Sequence, residues 1–306
     1  MIYDVRHTTR YRYSAPVTLC HSEARLLPRQ LDWQCCEASQ LAINPAPAVQ
    51  AEHRDFFGNR VLYFAIQEIH REFEVTVRTR FQSLPRPALP GKMPTWEICH
   101  KALDKRCYAE ALEARQFRLD SPFVKRNAEL AAYAAESFTP GRSLLEAVQE
   151  LNRRIFEEFV YDPAFTTLAT PLTEVLAERR GVCQDFAHLA IGCLRSIGLA
   201  ARYVSGYLET QPPAGQPRLI GADASHAWCS VFLPGWGWLD IDPTNGNLPG
   251  ERHLVIGWGR DYADVAPLKG VMNGGGEHSL QVEVDVIPES ERLATRPAAG
   301  TAGSEY

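Results

Sequence analysis

The chain has 306 residues, 45% of them hydrophobic and 23% charged, with a formal net charge of −5. That length exceeds what one hydrophobic core usually organises, and the composition excludes a fibre or a wholly disordered chain. The acidic balance leaves no broad basic surface for neutralising phosphates, so nucleic acid is not expected as a partner.

The opening residues, MIYDVRHTTRYRYSAPV, alternate charged and aromatic side chains and hold no apolar run of signal-peptide type. The most continuous apolar stretch, Ala187 to Leu194, is too short to cross a bilayer and is interrupted by Gly192. The expected location is cytoplasmic, with no membrane contact and with reduced thiols.

Residues 1–90 are predicted to form a β-rich N-terminal domain, a sandwich or a barrel. YDVRHTTRYRY alternates by twos, while VLYFAIQEI and REFEVTVRTRF read as two long antiparallel strands after a turn over Asp55 to Asn59. Nothing in this segment groups a nucleophile with a base and an acid, which leaves it a structural or substrate-docking role. The Pro-rich LPRPALPGKMP then marks a linker.

Residues 91–288 are predicted as a helical lead-in, a catalytic core and a final strand. SPFVKRNAELAAYAAESF and SLLEAVQELNRRIFEEFVY repeat apolar residues three and four apart, as helices do. Pro171 opens another helix, Gly181 ends it, and a further helix begins near Cys183. RYVSGYLE, HAWCSVFL, GWLDID and SLQVEVDVI read as strands, and residues 289–306, aperiodic and rich in Pro, Ala, Gly and Ser, as a mobile tail.

Eight cysteines, at positions 20, 35, 36, 99, 107, 183, 193 and 229, include no C-x-x-C pair, so neither a metal site nor a cofactor is expected. In GVCQDFAHLAIGCLRSIG, the residues Phe186, Leu189, Ala190, Cys193, Leu194 and Ile197 form one helical stripe, and Cys183 sits ahead of it. A sulfur in a first helical turn faces unpaired N–H groups and the positive end of the helix dipole, which favour the negatively charged nucleophile. Cys193 lies on the stripe and reads as core. Cys229 alternates away from His226 and Trp228 and should point to the opposite sheet face.

Nine histidines compete for the role of base. His188, five residues along the helix, is rotated by about 140° from Cys183. His226 heads a strand whose partner, across the turn LPGWG, is WLDID. A register in which partner numbers sum to 468–470 sets Asp242 opposite His226 or diagonal to it, with Asp240 the rival on the same strand face. A nucleophile, a base and an orienting acid are thereby available. The backbone N–H of Cys183 is the natural first donor to an oxyanion, and the second is not readable. Trp228, Trp236, Trp238 and Trp258 suit either the walls of an apolar substrate channel or ordinary buried packing.

GVCQDFAH, RYVSGY, DASHAW and WLDIDPTNG follow in an order that resembles the core of bacterial transglutaminase-like proteins, and GRDYADVAPLKG adds to the likeness. The β-rich first segment is similar to the domain preceding that core, so the resemblance spans most of residues 1–288. It implies an α+β fold with a papain-like core, in which a nucleophile helix packs on an antiparallel sheet. Carried over by motif, the catalytic residues are Cys183, His226 and Asp242. Ala200 stands where proline is common, and Cys229 with Ser230 replaces a more usual Val-Glu, departures that bear on substrate contacts. The superfamily includes proteases, deamidases, amidases and cross-linking enzymes that work through a thioester acyl-enzyme. The resemblance therefore implies a peptidase or amidase acting on a peptide or protein, with a protein-glutamine transglutaminase as the alternative and a non-catalytic peptide-binding scaffold as the third reading. Similar proteins occur beside peptide-ligase-like partners, which points to a small-peptide pathway.

Overall fold

Alternation at the amino terminus folds into one strand of unusual length, β1 (Ile2–Leu27). It belongs to a computed structural model that describes residues 1–104, 109–165, 167, 170–210 and 225–291. β2 (Gln34–Asn44), β3 (Val49–Arg54), β4 (Arg60–Ile66) and β5 (His70–Ser83) follow. The turn before β4 is closed by the Asp55 carboxylate, which accepts from the backbone N–H groups of Phe57 and Asn59 at 2.9 Å each.

Helices come next: α1 (Trp96–Asp104), α2 (Ala109–Arg115), α3 (Ala128–Ala135) and α4 (Leu144–Glu158). The short strand β6 (Val160–Tyr161), α5 (Leu172–Glu178) and a second short strand, β7 (Arg180–Gly181), lead into α6 (Cys183–Ser196). The chain then forms β8 (Ala201–Leu208), β9 (Ser225–Leu233), β10 (Gly237–Ile241) and β11 (His253–Gly259). It ends with α7 (Tyr262–Val265), β12 (Leu268–Gly274) and β13 (His278–Pro288).

The last four-stranded sheet runs β10-β9-β8-β11, all antiparallel. One face buries Ala201, Tyr203, Ala227, Cys229, Val231, Leu239 and Ile241 against the stripe of α6. This is the expected α+β arrangement, a helix bearing a cysteine at its head laid across an antiparallel sheet.

The final strand departs from expectation. Its sequence groups it with the unit over residues 91–288, but β13 pairs with the first half of β1, from Tyr3↔Pro288 to Tyr13↔His278, and β12 with its second half. The reason is the length of β1. β5 covers one edge of its first half and β4 one edge of its second, which leaves the opposite edges open until residues 268–288 pair with them. The chain therefore leaves the β-rich unit, builds the core and returns.

The two units share an apolar seam of Tyr3, Val5, Phe81, Val284 and Val286 against Tyr207, Leu254 and Ile256. Side chains also close the outer edge of β11. Gln34 bonds both the N–H and the carbonyl of Val255 at 2.7 Å, and Asn59 does the same for Trp258 at 3.0 and 2.8 Å. Among the described residues no helix is long and apolar enough to cross a membrane. The expected tail, apart from its first three residues, lies outside the described residues.

Candidate active site

The turn GVCQD is held before the helix begins. Asp185, in the first turn of α6, accepts from the Val182 N–H at 2.8 Å, which satisfies one backbone donor at the helix entry. Gly181 allows this approach, since a Cβ there would meet the Asp185 side chain at 2.9 Å. Pairing of Val160 with Arg180 and Tyr161 with Gly181 anchors the incoming strand. Cys183 is thus the first helical residue, half-buried, while Phe186, Leu189, Ala190, Cys193 and Leu194 are buried behind it.

The hairpin supplies the imidazole. β9 and β10 pair from Gly237↔Leu233 to Ile241↔Cys229, a register whose partner numbers sum to 470 and which sets Asp242 diagonal to His226. His226 Nε2 lies 2.7 Å from Asp242 Oδ2. The carboxylate is fully buried and held by the turn that follows it and by a second histidine. Oδ1 accepts from the N–H groups of Thr244 and Asn245 at 3.0 and 3.3 Å, while Oδ2 also accepts from Asn245 Nδ2 at 2.7 Å and His253 Nε2 at 3.1 Å.

These contacts decide the charge states. Burial opposes charge on His226, but its hydrogen bonds to Asp242 and Cys183, together with their negative charge, push it up to about 10. Burial would raise Asp242, but the hydrogen bonds from His226 and His253 outweigh it and hold the carboxylate well below its usual range. His253 goes the other way: burial lowers it despite Asp242, and its Nδ1 accepts from the Gly250 N–H at 3.4 Å. It is therefore a neutral ring donating through Nε2.

His226, Asp242 and His253 offer three potential metal-ligand atoms within 4.8 Å of one another. Hydrogen bonds already occupy that geometry, because the Nε2 atoms of both histidines are directed at the same carboxylate oxygen. A cation would have to displace both protons.

Other candidates separate cleanly. His188 is buried, stacks on Phe123, and accepts from the Tyr262 N–H at 3.1 Å, with burial pushing it down to about 3. Burial likewise pushes Cys193 up to about 12 and Cys229 well above its ordinary value. Cys229 faces α6, on the side of the sheet away from Trp228. Asp240 bonds Ser230 Oγ and forms an ion pair with Arg86 at 3.2 Å, so it belongs to a different cluster from His226.

Cys183 and His226 line a cleft of about 200 Å³ together with Gln184, Tyr203 and Tyr262. Its far wall is the β-rich unit, through His7, Thr9 and Tyr11 of β1 and Leu280 and Val282 of β13. His7 is fixed there by Tyr207 and Thr9 at 2.9 and 3.0 Å, and burial pushes it down to about 4, so it stays neutral. None of the four tryptophans lines this cleft, which corrects the channel reading: Trp236, Trp238 and Trp258 line a separate cavity, and Trp228 is buried beside Gly206. A Cβ at Gly206 would stand 2.5 Å from the Trp228 ring.

Two contributors escaped sequence reasoning. His253 is one, because a bulge between Val255 and Gly257 shifts the β11 register and hides which face its residues share. The far wall is the other, since the alternation of β1 and β13 signals strands but not what those strands face.

A model of the bacterial transglutaminase-like N-terminal region matches residues 3–82, and a model of the transglutaminase-like superfamily matches residues 131–243. An uncharacterized protein of Mycobacterium tuberculosis is 44% identical over 296 residues, covering 94% of this chain and 92% of that protein. An uncharacterized protein of Mycobacterium leprae is 32% identical, covering 95% and 98%. A protein-glutamine gamma-glutamyltransferase of Pseudomonas aeruginosa is 33% identical over 104 residues, 31% of this chain and 16% of that protein. Among solved structures, "a Putative Cysteine Protease from Cytophaga hutchinsonii" superposes with a TM-score of 0.72 at 19% identity, covering 94% of this chain and 91% of that one, a likeness of fold.

Proposed function

Since the chain belongs to the transglutaminase-like superfamily and is a cysteine-dependent enzyme, we propose that it cleaves amide bonds of peptides or proteins through a thioester on Cys183. His226 carries the proton and Asp242 anchors His226. The observation that carries this reading is the imidazole of His226, held at 2.7 Å by a fully buried carboxylate in the cleft that Cys183 also lines.

With Nε2 committed to Asp242, Nδ1 is the nitrogen left for the sulfur. The proton of the sulfur already rests on His226, and the sulfur adds to the amide carbon. The carbonyl oxygen takes up the displaced electron pair, facing the N–H groups at the head of α6. Collapse breaks the C–N bond, and the imidazolium gives its proton to the departing amine. Water, deprotonated by His226, then adds to the thioester carbon, and the C–S bond breaks to restore the sulfur. Burial and the neighbouring charge of Cys183 keep the Tyr203 phenol protonated in the cleft, which makes its O–H our proposed second oxyanion donor.

Transfer to an amine in place of water is the second reading, favoured by the stretch shared with the gamma-glutamyltransferase. One incubation decides between them: a glutamine-containing peptide library with a labelled primary amine, followed by mass spectrometry. Hydrolysis or ammonia release without label supports the amidase, label incorporation supports the transferase, and no change with the wild-type protein rejects both.

A further inference from the structure

The second cavity lies on the sheet face turned away from α6. It has a volume of about 620 Å³, and its walls include Trp33, Leu89, Phe232, Trp236, Trp238 and Trp258. Arg202 of β8 lines it as well, with only 7% of its surface exposed. The guanidinium carbon sits 4.2 Å from the ring centre of Trp238 and 3.8 Å from that of Trp258.

Two indoles on its faces leave only the edge of a guanidinium free to bond. Arg202 has no hydrogen-bond or ion-pair partner among the described residues, and its Nε is sealed from solvent. The nearby acid does not serve it, since Asp240 is engaged by Ser230 and Arg86. Neighbouring Arg29, on the opposite face of Trp258 at 3.6 Å, is by contrast satisfied by Phe57 O and Asn59 Oδ1. A buried cation left without an acceptor is costly unless a ligand supplies one.

We infer that this cavity is a binding site for a carboxylate carried on an apolar or aromatic body, with the edge of Arg202 taking the carboxylate oxygens and the indoles enclosing the body. A planar fork matches a carboxylate in two parallel bonds. Exposed Glu110 and Glu113 at the rim disfavour polyanions such as nucleotides. Burial pushes Arg202 down to about 9, opposed by Asp240 and furthered by Arg29, so an added anion would relieve a real electrostatic deficit. The site shares no lining residue with the cleft of Cys183. A free small carboxylic acid and the C-terminus of a peptide carry the same chemistry.

Titration calorimetry of the full chain tests this with three probes at millimolar concentration: 3-phenylpropionate, N-acetylphenylalanine and N-acetylphenylalaninamide. The acids should bind and the amide should bind at least about tenfold more weakly. A stronger signal from N-acetylphenylalanine than from phenylpropionate points to a peptide C-terminus, and the reverse to a free acid. Cys183→Ala should leave the binding unchanged, and folded Arg202→Met should abolish the preference for acid over amide. Equal binding of acid and amide, no binding of either acid, loss of binding in Cys183→Ala, or a preference that survives in Arg202→Met would overturn the proposal. The acid-against-amide comparison needs no variant and holds even where Arg202→Met fails to fold.

Discussion

At its head α6 presents Cys183 and open backbone donors to a cleft; at its tail Arg195 is buried and saturated. The Arg195 guanidinium bonds the carbonyls of Phe117, Leu119, Ala201 and Arg260 and the hydroxyl of Ser121, at 2.6 to 3.2 Å. Burial pushes it down to about 10, against the pull of Asp261, so the cation is retained and used. Unsatisfied polar groups are tolerated at the head because chemistry can use them, while the tail fixes the helix against the sheet and the loops around it.

The histidines repeat the contrast. His226 at the cleft is kept charged by a carboxylate and a thiol, whereas His188, one turn into the helix, is kept neutral by burial and by accepting a backbone proton. Residue type does not distinguish the two, but their partners do.

The sharpest way to break the comparison is at the head. Cys183→Ala should lower turnover in the proposed amide cleavage by at least about 10⁴-fold while changing stability by less than about 0.5 kcal/mol, read by product assay and thermal melt. Asp242→Asn should cost about 10³-fold in kcat, since the ring loses both its tautomer and its charge. The wild-type protein should show its alkaline limb near pH 10, and the same variant should move that limb to lower pH.

The sign follows from the shift. His226 is raised in the folded state, so its contribution to stability is fully present below about pH 6.5 and is lost as pH rises through about 10. Asp242 is depressed, so its contribution is present above pH 3.8 and is lost only as pH falls through its lower folded value.

The tail should respond in stability rather than chemistry. Arg195→Met leaves five acceptors without their shared donor and should cost roughly 3 kcal/mol, measured by urea unfolding, with kcat of the folded fraction reduced far less than in the head variants. The smallest effect is expected at His253, which acts through Asp242. His253→Phe should reduce kcat about tenfold with KM unchanged, as a loosened carboxylate lets the His226 ring drift. An increase in KM alone would place His253 in substrate binding instead.

Much of the site was legible because its parts lie in short, locally determined motifs. The first turn of a helix and a hairpin with a three-residue turn fix Cys183, His226 and Asp242 by geometry that runs only a few residues. What was not legible depends on long-range pairing. β13 returns some 280 residues later to the first strand, and no local signal in SLQVEVDVI says which edge it will cover. The β1 wall of the cleft depends on that same docking, and the donor His253 on a bulge. The tryptophans misled for a related reason: alternation told which residues share a face, but not that the face with Trp238 and Arg202 looks away from the nucleophile.

The most direct test of the account is a race between thiols under brief, limiting iodoacetamide at neutral pH, read by peptide mapping. Cys35 is exposed and Cys183 half-buried, so access alone favours Cys35. An activated sulfur beside His226 predicts that Cys183 is alkylated first and that His226→Ala removes its lead. Faster labelling of Cys35 in the wild-type protein, or a Cys183 rate indifferent to His226, would contradict it.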